Sequence, residues 1–332
     1  MNKIKHVLLS GGIGSRLWPL SRKSMPKQYL EIFENKSLFE MTAERNRSFA
    51  EDLIVVGNLE NNAQSNAVLS KLGIKSTNII ETTPRNTAAA IAFASFLSDP
   101  EDILIVTPSD HIITGEAFYA KSMQTAIELA KDNYIVTFGV VPTKPETGYG
   151  YIEFKGDDVV SFREKPNSVT AKEFISRGNF LWNSGMFCFK AGVLLEELKL
   201  HSIEVYEKSK FAIDNAKDGI LDKELSLEIP SISVDYAIME RSKKIKVVPA
   251  SFNWSDLGSF ESVYDYLKSI GHSVDNFGNM VIGTSNYTAF LGLENTIFVH
   301  TQNANLILHK DQSQDVKTLY NQLEELNSEL LN

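Results

Sequence analysis

Five short apolar runs rich in valine and isoleucine recur along the first part of the chain, and four stretches of helical character separate them. The runs are IKHVLLS (4–10), DLIVVG (52–57), TNIIE (77–81), DILIVTP (102–108) and YIVTFGVV (134–141). Runs of this length and composition read as buried strands. Between them, SLFEMTAERNRSF, NNAQSNAVLSKLG, NTAAAIAFASFL and EAFYAKSMQTAIELAKD have the spacing and residue types of helices. Such alternation implies an α/β chain with a mostly parallel sheet and helices on both faces. Open sheets of this kind bind ligands beyond the carboxyl ends of their strands, so the residues just after each strand are the candidates for function.

After the first strand comes LLSGGIGSRLWPLSRKSMPKQYL (8–30), cationic and glycine-rich in a chain of net charge −9. It fits neither familiar phosphate-binding pattern. Gly12, Gly14 and Leu17 give the wrong third residue for G-x-G-x-x-G, and Arg16 and Leu17 stand near the place of the Lys-Ser/Thr of a Walker loop. Its chemistry still suits an anion. Gly11, Gly12 and Gly14 let backbone N–H groups approach closely, with positive φ open to them. Arg16 can fork onto phosphate oxygens, and Lys27 adds a compact charge behind Pro26. The alternative is a tight turn with solvated cations.

The acidic balance argues against a nucleic-acid polymer as partner, because such proteins carry a basic footprint over a whole face. Cys188 is the only cysteine, so no intrachain disulfide forms and a reducing cytoplasm is the expected home. Six scattered histidines and one cysteine argue against structural zinc. The apolar run after MNKIKH is too short for a signal-peptide core, and nothing reaches the ~18 apolar residues of a membrane span. A soluble protein is expected.

Further candidates follow later strands. Asp110, in TPSDHI (107–112), could hold Mg²⁺ through one or two oxygens or cap a helix. Asp256, in FNWSDLGSF (252–260), is a second acid in a similar turn. ETGYGYIEF (146–154) sets Gly148 and Gly150 around Tyr149, as a tight turn or a backbone lip over a small ligand. FREKPN (162–167) places Glu164 beside Lys165, suited to sugar hydroxyls and phosphate or to a plain surface ion pair. LWNSGMFCF (181–189) offers Asn183, a donor and an acceptor such as a vicinal diol requires. Cys188 reads as an inert core thiol, and Trp18, Trp182 and Trp254 as packed braces for these loops. In TTPRNTAAAIA (82–92), Asn86 or Thr87 could cap the alanine-rich helix, with Arg85 at a nucleotide-facing edge.

Taken together, LSGGIGSRLWPLSRKSMPKQYL, PRNTAAAIA, PSDH, FREKP, LWNSGMF, VDYAIME and WSDLGSF resemble, in order and rough spacing, the bacterial mannose-1-phosphate guanylyltransferases, over residues 3 to 266. The resemblance implies a Rossmann-like nucleotide-diphospho-sugar transferase fold with a mixed sheet, over residues 1–268. It implies an enzyme joining GTP and mannose 1-phosphate into GDP-mannose and pyrophosphate with Mg²⁺. It assigns the nucleotide to Ser10, Gly11, Gly12, Gly14, Ser15, Arg16, Lys27, Arg85, Asn86, Ser109 and Asp110. The sugar phosphate goes to Gly148, Tyr149, Glu164, Lys165, Asn183 and Asp256, the metal to Asp110 and Asp256, and catalysis to Arg16, Lys27, Asp110, Lys165 and Asp256. Another sugar or base, or a catalytically silent regulatory homologue, are the alternatives; the failed fingerprint disfavours a nicotinamide oxidoreductase. Thr82 and Pro84 stand where relatives commonly have Pro and Gly, and Arg163 replaces a small apolar residue. Longer relatives carry a fused isomerase domain that this chain lacks, so no isomerase activity is expected.

Residues 275–332 resemble a shortened version of the family's C-terminal β-helical segment, followed by an amphipathic helix. Val316, Leu319, Leu323, Leu326 and Leu330 form its stripe. Packing onto its own chain is one reading and a homodimer contact the other.

Overall fold

A computed structural model describes residues 2–31 and 36–332. Contacts divide the chain into two compact units, Met1–Gly11, Thr42–Ser109 and Ile113–Trp254 in the first, and Gly12–Met41, Asp110–Ile112 and Ser255–Asn332 in the second. A division drawn along the chain at 268–275 therefore differs from the grouping by contact. The second unit gathers the glycine loop and Asp110 with the C-terminal residues, because Leu17 and Trp18 belong to the same apolar core as Phe260, Ile297, Val299, Tyr320 and Leu331.

The first unit is built on a nine-stranded sheet. From edge to edge its strands are Thr77–Glu81, Asp52–Asn58, Ile4–Ser10, Ile103–Pro108, Phe180–Lys190, Ile135–Val140, Ile245–Pro249, Asp158–Arg163 and Tyr151–Lys155. All five strands expected from the apolar runs are present. The first four in this order pair in parallel. Beyond them the sheet is mixed, since Phe180–Lys190 runs antiparallel to both its principal neighbours and to the hairpin strand Tyr151–Lys155.

Side chains alternate across a strand, so both faces need a cover. Leu104 and Val106 enter the core formed with the helix Asn86–Phe96, while Ile103 and Ile105 enter the core under the helix Glu116–Lys131. This is why the runs are continuously apolar. Residues 88–95 of the alanine-rich helix are all buried, with Ala212 and Ile213 from the helix Ile203–Asp214 in the same core. Cys188 is fully buried, and burial pushes its thiol pKa up, as an inert core thiol requires.

In the second unit, Met280–Ile282 pairs in parallel with Thr296–Thr301, which pairs antiparallel with Ala304–His309. The helix Phe260–Ser269 opens on a reciprocal cap between Ser259 and Ser262. The terminal helix ends at Glu325. Val316 is buried and Leu319, Leu323 and Leu330 pack on the same core, so the stripe serves its own chain, but Leu326 lies past the helix end and is 77% exposed. No described helix is long and apolar enough to cross a membrane.

Candidate active site

The second unit brings three of the expected residues together. Lys27 is 4% exposed, and its Nζ donates to Asp110 Oδ2 at 2.7 Å and to the Asp256 carbonyl at 2.5 Å. Its backbone N–H donates to the Ile13 carbonyl at 3.1 Å. Gly14, at φ 77°, lies so close that a Cβ there would stand 2.5 Å from Lys27 Cβ. Its carbonyl accepts from Leu17 N at 2.9 Å and from Ser21 Oγ at 2.6 Å. Positive φ is therefore needed at Gly14 alone of the three loop glycines; at Gly11 and Gly12 a Cβ would meet nothing, and what they provide is open backbone. Arg16 is exposed, in the single turn Ser15–Leu17.

Burial alone would raise the Asp110 pKa, but the charge of Lys27, followed by that of His111, outweighs it and holds the carboxyl below the usual range. Asp110 is ionised at neutral pH, with a third of its side chain exposed. His111 Nε2 lies 3.6 Å from Asp110 Oδ1, an electrostatic part that sequence reading did not give it. Asp256 Oδ1 accepts from Gly258 N at 2.9 Å, a turn that aims the Asp256 carbonyl at Lys27.

The loop's other arginine has a different task. Arg22 is 8% exposed and donates to the Leu330 carbonyl at 2.9 Å, Thr301 Oγ1 at 3.2 Å and Asn303 Oδ1 at 2.5 Å. Trp18 Nε1 also donates to the Leu330 carbonyl, at 3.1 Å. Together they strap the chain's last residues to the glycine loop.

A second group lies in the first unit, where the pairing of Ile135–Val140 with the strand that carries Asn183 shifts register between Thr137 and Gly139. Glu164 follows the strand Asp158–Arg163; its Oε1 pairs with Lys165 Nζ at 2.6 Å, and its side chain is 7% exposed against 62% for Lys165. Gly150 lies close by: a Cβ there would meet Glu164 Oε2 at 2.6 Å and Phe162 Cε1 at 3.2 Å, so the Glu164 carboxylate would have to shift. Gly148 N donates to Glu146 Oε1 at 3.0 Å. Tyr149 packs edge-on against Trp182 and Trp254 with centroids 5.2 and 5.3 Å apart. These two tryptophans are braces, as expected. Arg163 is exposed.

Sequence reading missed Asp235, which sits in a π-turn at Asp235–Met239 and accepts from Asn183 Nδ2 at 3.0 Å. Burial first, then the charge of Glu164, raises its pKa to about 6. Its signal was VDYAIME, a segment with a place in the pattern but no assigned task.

Arg85 and Asn86 follow the strand Thr77–Glu81. Arg85 Nε donates to the Ile229 carbonyl at 2.6 Å, and its backbone N–H to Glu81 Oε1 at 3.4 Å. Burial lifts the Glu81 carboxyl to about 7, offset in part by that N–H. The helix starts at Asn86 without a side-chain cap. Asn86 has φ 70° and accepts from Thr87 N, while Thr87 Oγ1 accepts from Val234 N at 2.9 Å. Capping by either residue is thereby corrected, because tertiary contact claims the Thr87 hydroxyl. Thr82 Oγ1 donates to the Leu221 carbonyl at 3.0 Å, a bond proline could not make. Ser10 and Ser109 are buried at strand ends, with Ser109 N on the Leu9 carbonyl at 2.9 Å.

Comparison with known proteins identifies the family. Residues 5–273 match the nucleotidyl transferase family model, and residues 272–323 the MannoseP isomerase/GMP-like β-helix domain. A mannose-1-phosphate guanylyltransferase of Salmonella muenchen is 36% identical, over 97% of this chain and 74% of that protein. A Thermus thermophilus structure described as a mannose-1-phosphate geranyltransferase superposes with a TM-score of 0.85 at 29% identity, covering 97% of this chain and 99% of that one. A Helicobacter pylori structure described as a mannose-6-phosphate isomerase is 37% identical, with a TM-score of 0.70 over 76% of this chain and 99% of that one. With a family model along most of its length and such relatives beyond it, the chain belongs to the nucleotidyl transferase family, among the bacterial mannose-1-phosphate guanylyltransferases.

Proposed function

We propose that this protein joins GTP and mannose 1-phosphate to give GDP-mannose and pyrophosphate. The observation that carries the reading is the Lys27 ammonium, buried between the Asp110 carboxylate and the Asp256 carbonyl beside a glycine loop. Lys27, Arg16 and the backbone of Gly11, Gly12, Gly14 and Ser15 would take the triphosphate, with Ser10, Ser109, Arg85 and Asn86 on the rest of the nucleotide. Glu164, Lys165, Asn183, Gly148 and Tyr149 would take the sugar phosphate.

The chemistry needs no activated side-chain nucleophile. A sugar phosphate is anionic at neutral pH; its oxygen attacks the α-phosphorus in line, one P–O bond forms, the bond to the β-phosphate breaks, and pyrophosphate leaves. Alignment of two bound anions contributes on the order of 7–11 kcal/mol, and each preorganised contact to developing charge roughly 3–4 kcal/mol. Lys27 suits that task because it is fixed before substrate arrives.

The residues also fit Mg²⁺. Among the described residues no three His, Cys, Asp or Glu side chains cluster to hold a metal alone, but Mg²⁺ takes one or two carboxylates with phosphate oxygens and water. The ionised Asp110, with Asp256, would supply those carboxylates. Bound there, the ion would neutralise phosphate charge.

A cytoplasmic setting goes with the buried thiol of Cys188. A homodimer is part of the proposal, but it must use a surface other than the leucine stripe, most of which packs on its own chain; light scattering on the purified protein measures it. The test of activity is pyrophosphate release with Mg²⁺, crossing five nucleoside triphosphates against mannose, glucose and galactose 1-phosphates. Turnover confined to GTP with mannose 1-phosphate is expected. Another preferred pair moves the specificity, and silence throughout refutes the reading in favour of a regulatory homologue. The Helicobacter structure's description favours a second reading, isomerisation of mannose 6-phosphate, and the same preparation assayed for that reaction is expected to be inactive.

A further inference from the structure

The surroundings of Asn183 leave its carboxamide one orientation. Oδ1 accepts from Thr137 Oγ1 at 3.0 Å and from the backbone N–H of Gly185 at 3.2 Å. A carboxamide oxygen has two lone pairs, and a backbone N–H can face only the oxygen, so both acceptor positions are used. Nδ2 gives one hydrogen to Asp235 Oδ1 at 3.0 Å. What remains for a ligand is one N–H. The expectation that Asn183 offers a diol both a donor and an acceptor is thus corrected: the acceptor must come from another group. Glu164 is the nearest in kind, its Oε2 lying beside Gly150 and its backbone N–H donating to Glu240 Oε1 at 3.3 Å.

We propose that Asp235 is a positioning residue for sugar recognition, holding Asn183 so that a sugar hydroxyl accepts from Asn183 Nδ2 and donates to the Glu164 carboxylate. The inference rests on the sugar-phosphate reading above. A hydroxyl in the wrong configuration cannot meet a single directed N–H and a fixed carboxylate together, so Asp235 governs which sugar is chosen, although it belongs to neither the glycine loop nor the Glu-Lys pair. Discrimination built on hydrogen bonds is strong because a mismatched ligand leaves buried polar groups unpaired.

The groups facing Asp235 are Glu164, Lys165 and Ser233. With the Asp235 pKa raised to about 6 by burial and by Glu164, its proton is taken up between pH 7 and 5. In that range the carboxylate becomes a weaker acceptor for Asn183.

The test compares wild type, Asp235→Ala and Asp235→Asn. Asp235→Ala is expected to raise the KM for mannose 1-phosphate about tenfold, lower its preference over glucose 1-phosphate by a similar factor, and leave the KM for GTP within twofold. Asp235→Asn keeps an oxygen toward Asn183 and is expected to restore the sugar KM to within about threefold, but to lose the wild-type rise in that KM below pH 6. The substrate's own phosphate titrates near 6 in both proteins and cancels in the comparison. Unchanged sugar KM and preference in Asp235→Ala, or equal losses for both substrates, overturn the proposal. If Asp235→Ala does not fold, the pH profile of Asp235→Asn decides. If wild type turns over no sugar phosphate, the functional reading fails. Asp235 is then judged by the side-chain amide resonance of Asn183 in the free protein, expected to titrate near pH 6 in wild type and not in Asp235→Asn; a resonance that does not titrate overturns the pairing.

Discussion

Replacing Gly14 by alanine should disable the enzyme by displacing Lys27, and the structure sets the size of the effect. Gly14 has φ 77°, a left-handed conformation that costs a residue with a Cβ about 1–2 kcal/mol. The new methyl would stand 2.5 Å from Lys27 Cβ and 3.3 Å from its Cγ and Cδ. Ordinary carbon contact lies near 3.5 Å, so one of the two must retreat by about 1 Å. A Cβ moves only with its backbone, and Lys27 N is bonded to the Ile13 carbonyl; the loop itself must give, at about 1–3 kcal/mol for overpacking. The expected loss of folding stability is about 2–5 kcal/mol, the sum of those two costs. A displacement of 1 Å at a reacting group lowers turnover on the order of 100-fold, and we expect that fall in kcat from the pyrophosphate-release assay. Gly12→Ala is the folding control, because its methyl would meet nothing within 4 Å, and its urea midpoint should match wild type. Gly14→Ala with kcat within threefold of wild type, or with the stability of Gly12→Ala, would refute the argument.

Two further outcomes concern stability. His6 is fully buried, with Nε2 2.8 Å from Thr107 Oγ1, and burial, aided by Arg45, depresses its pKa to about 3. The unfolded chain therefore binds the extra proton first, and stability falls as pH drops from 6.5 toward 3. Relative to His6→Gln, wild type should lose about 1.4 kcal/mol between pH 7.5 and 5.5 in urea unfolding; parallel losses would show that His6 is not buried in its neutral form. Arg22→Ala should destabilise the protein by about 1–3 kcal/mol, since it removes three hydrogen bonds to part-buried or exposed acceptors that water can partly replace. Arg22→Lys should recover only part, because an ammonium lacks the guanidinium's planar fork; an Arg22→Ala protein as stable as wild type would dismiss the strap.

The sequence by itself determined five strands of the sheet and pointed to the loops proposed to carry chemistry. Runs such as DILIVTP are continuously apolar because both faces of a central strand are covered, and that local pattern survives in one dimension. The glycine loop with Lys27, Asp110, Glu164 and Asn183 were legible as candidates for a related reason: each belongs to a segment that follows or forms a strand, and its residue type already limits its chemistry. Tertiary structure alone decided the partners. Asp256 could be read as a carboxylate, but that its carbonyl meets Lys27 depends on a contact 229 residues apart. Arg22 and Arg16 look alike in the sequence; one is buried against the C-terminal residues and the other is exposed, because Leu17 and Trp18 turn inward between them. Asp235 was invisible because its task exists only once Asp235, Thr137 and Gly185 stand around the Asn183 carboxamide. Local patterns record burial and backbone preference, whereas hydrogen-bond partners distant in sequence are chosen by packing.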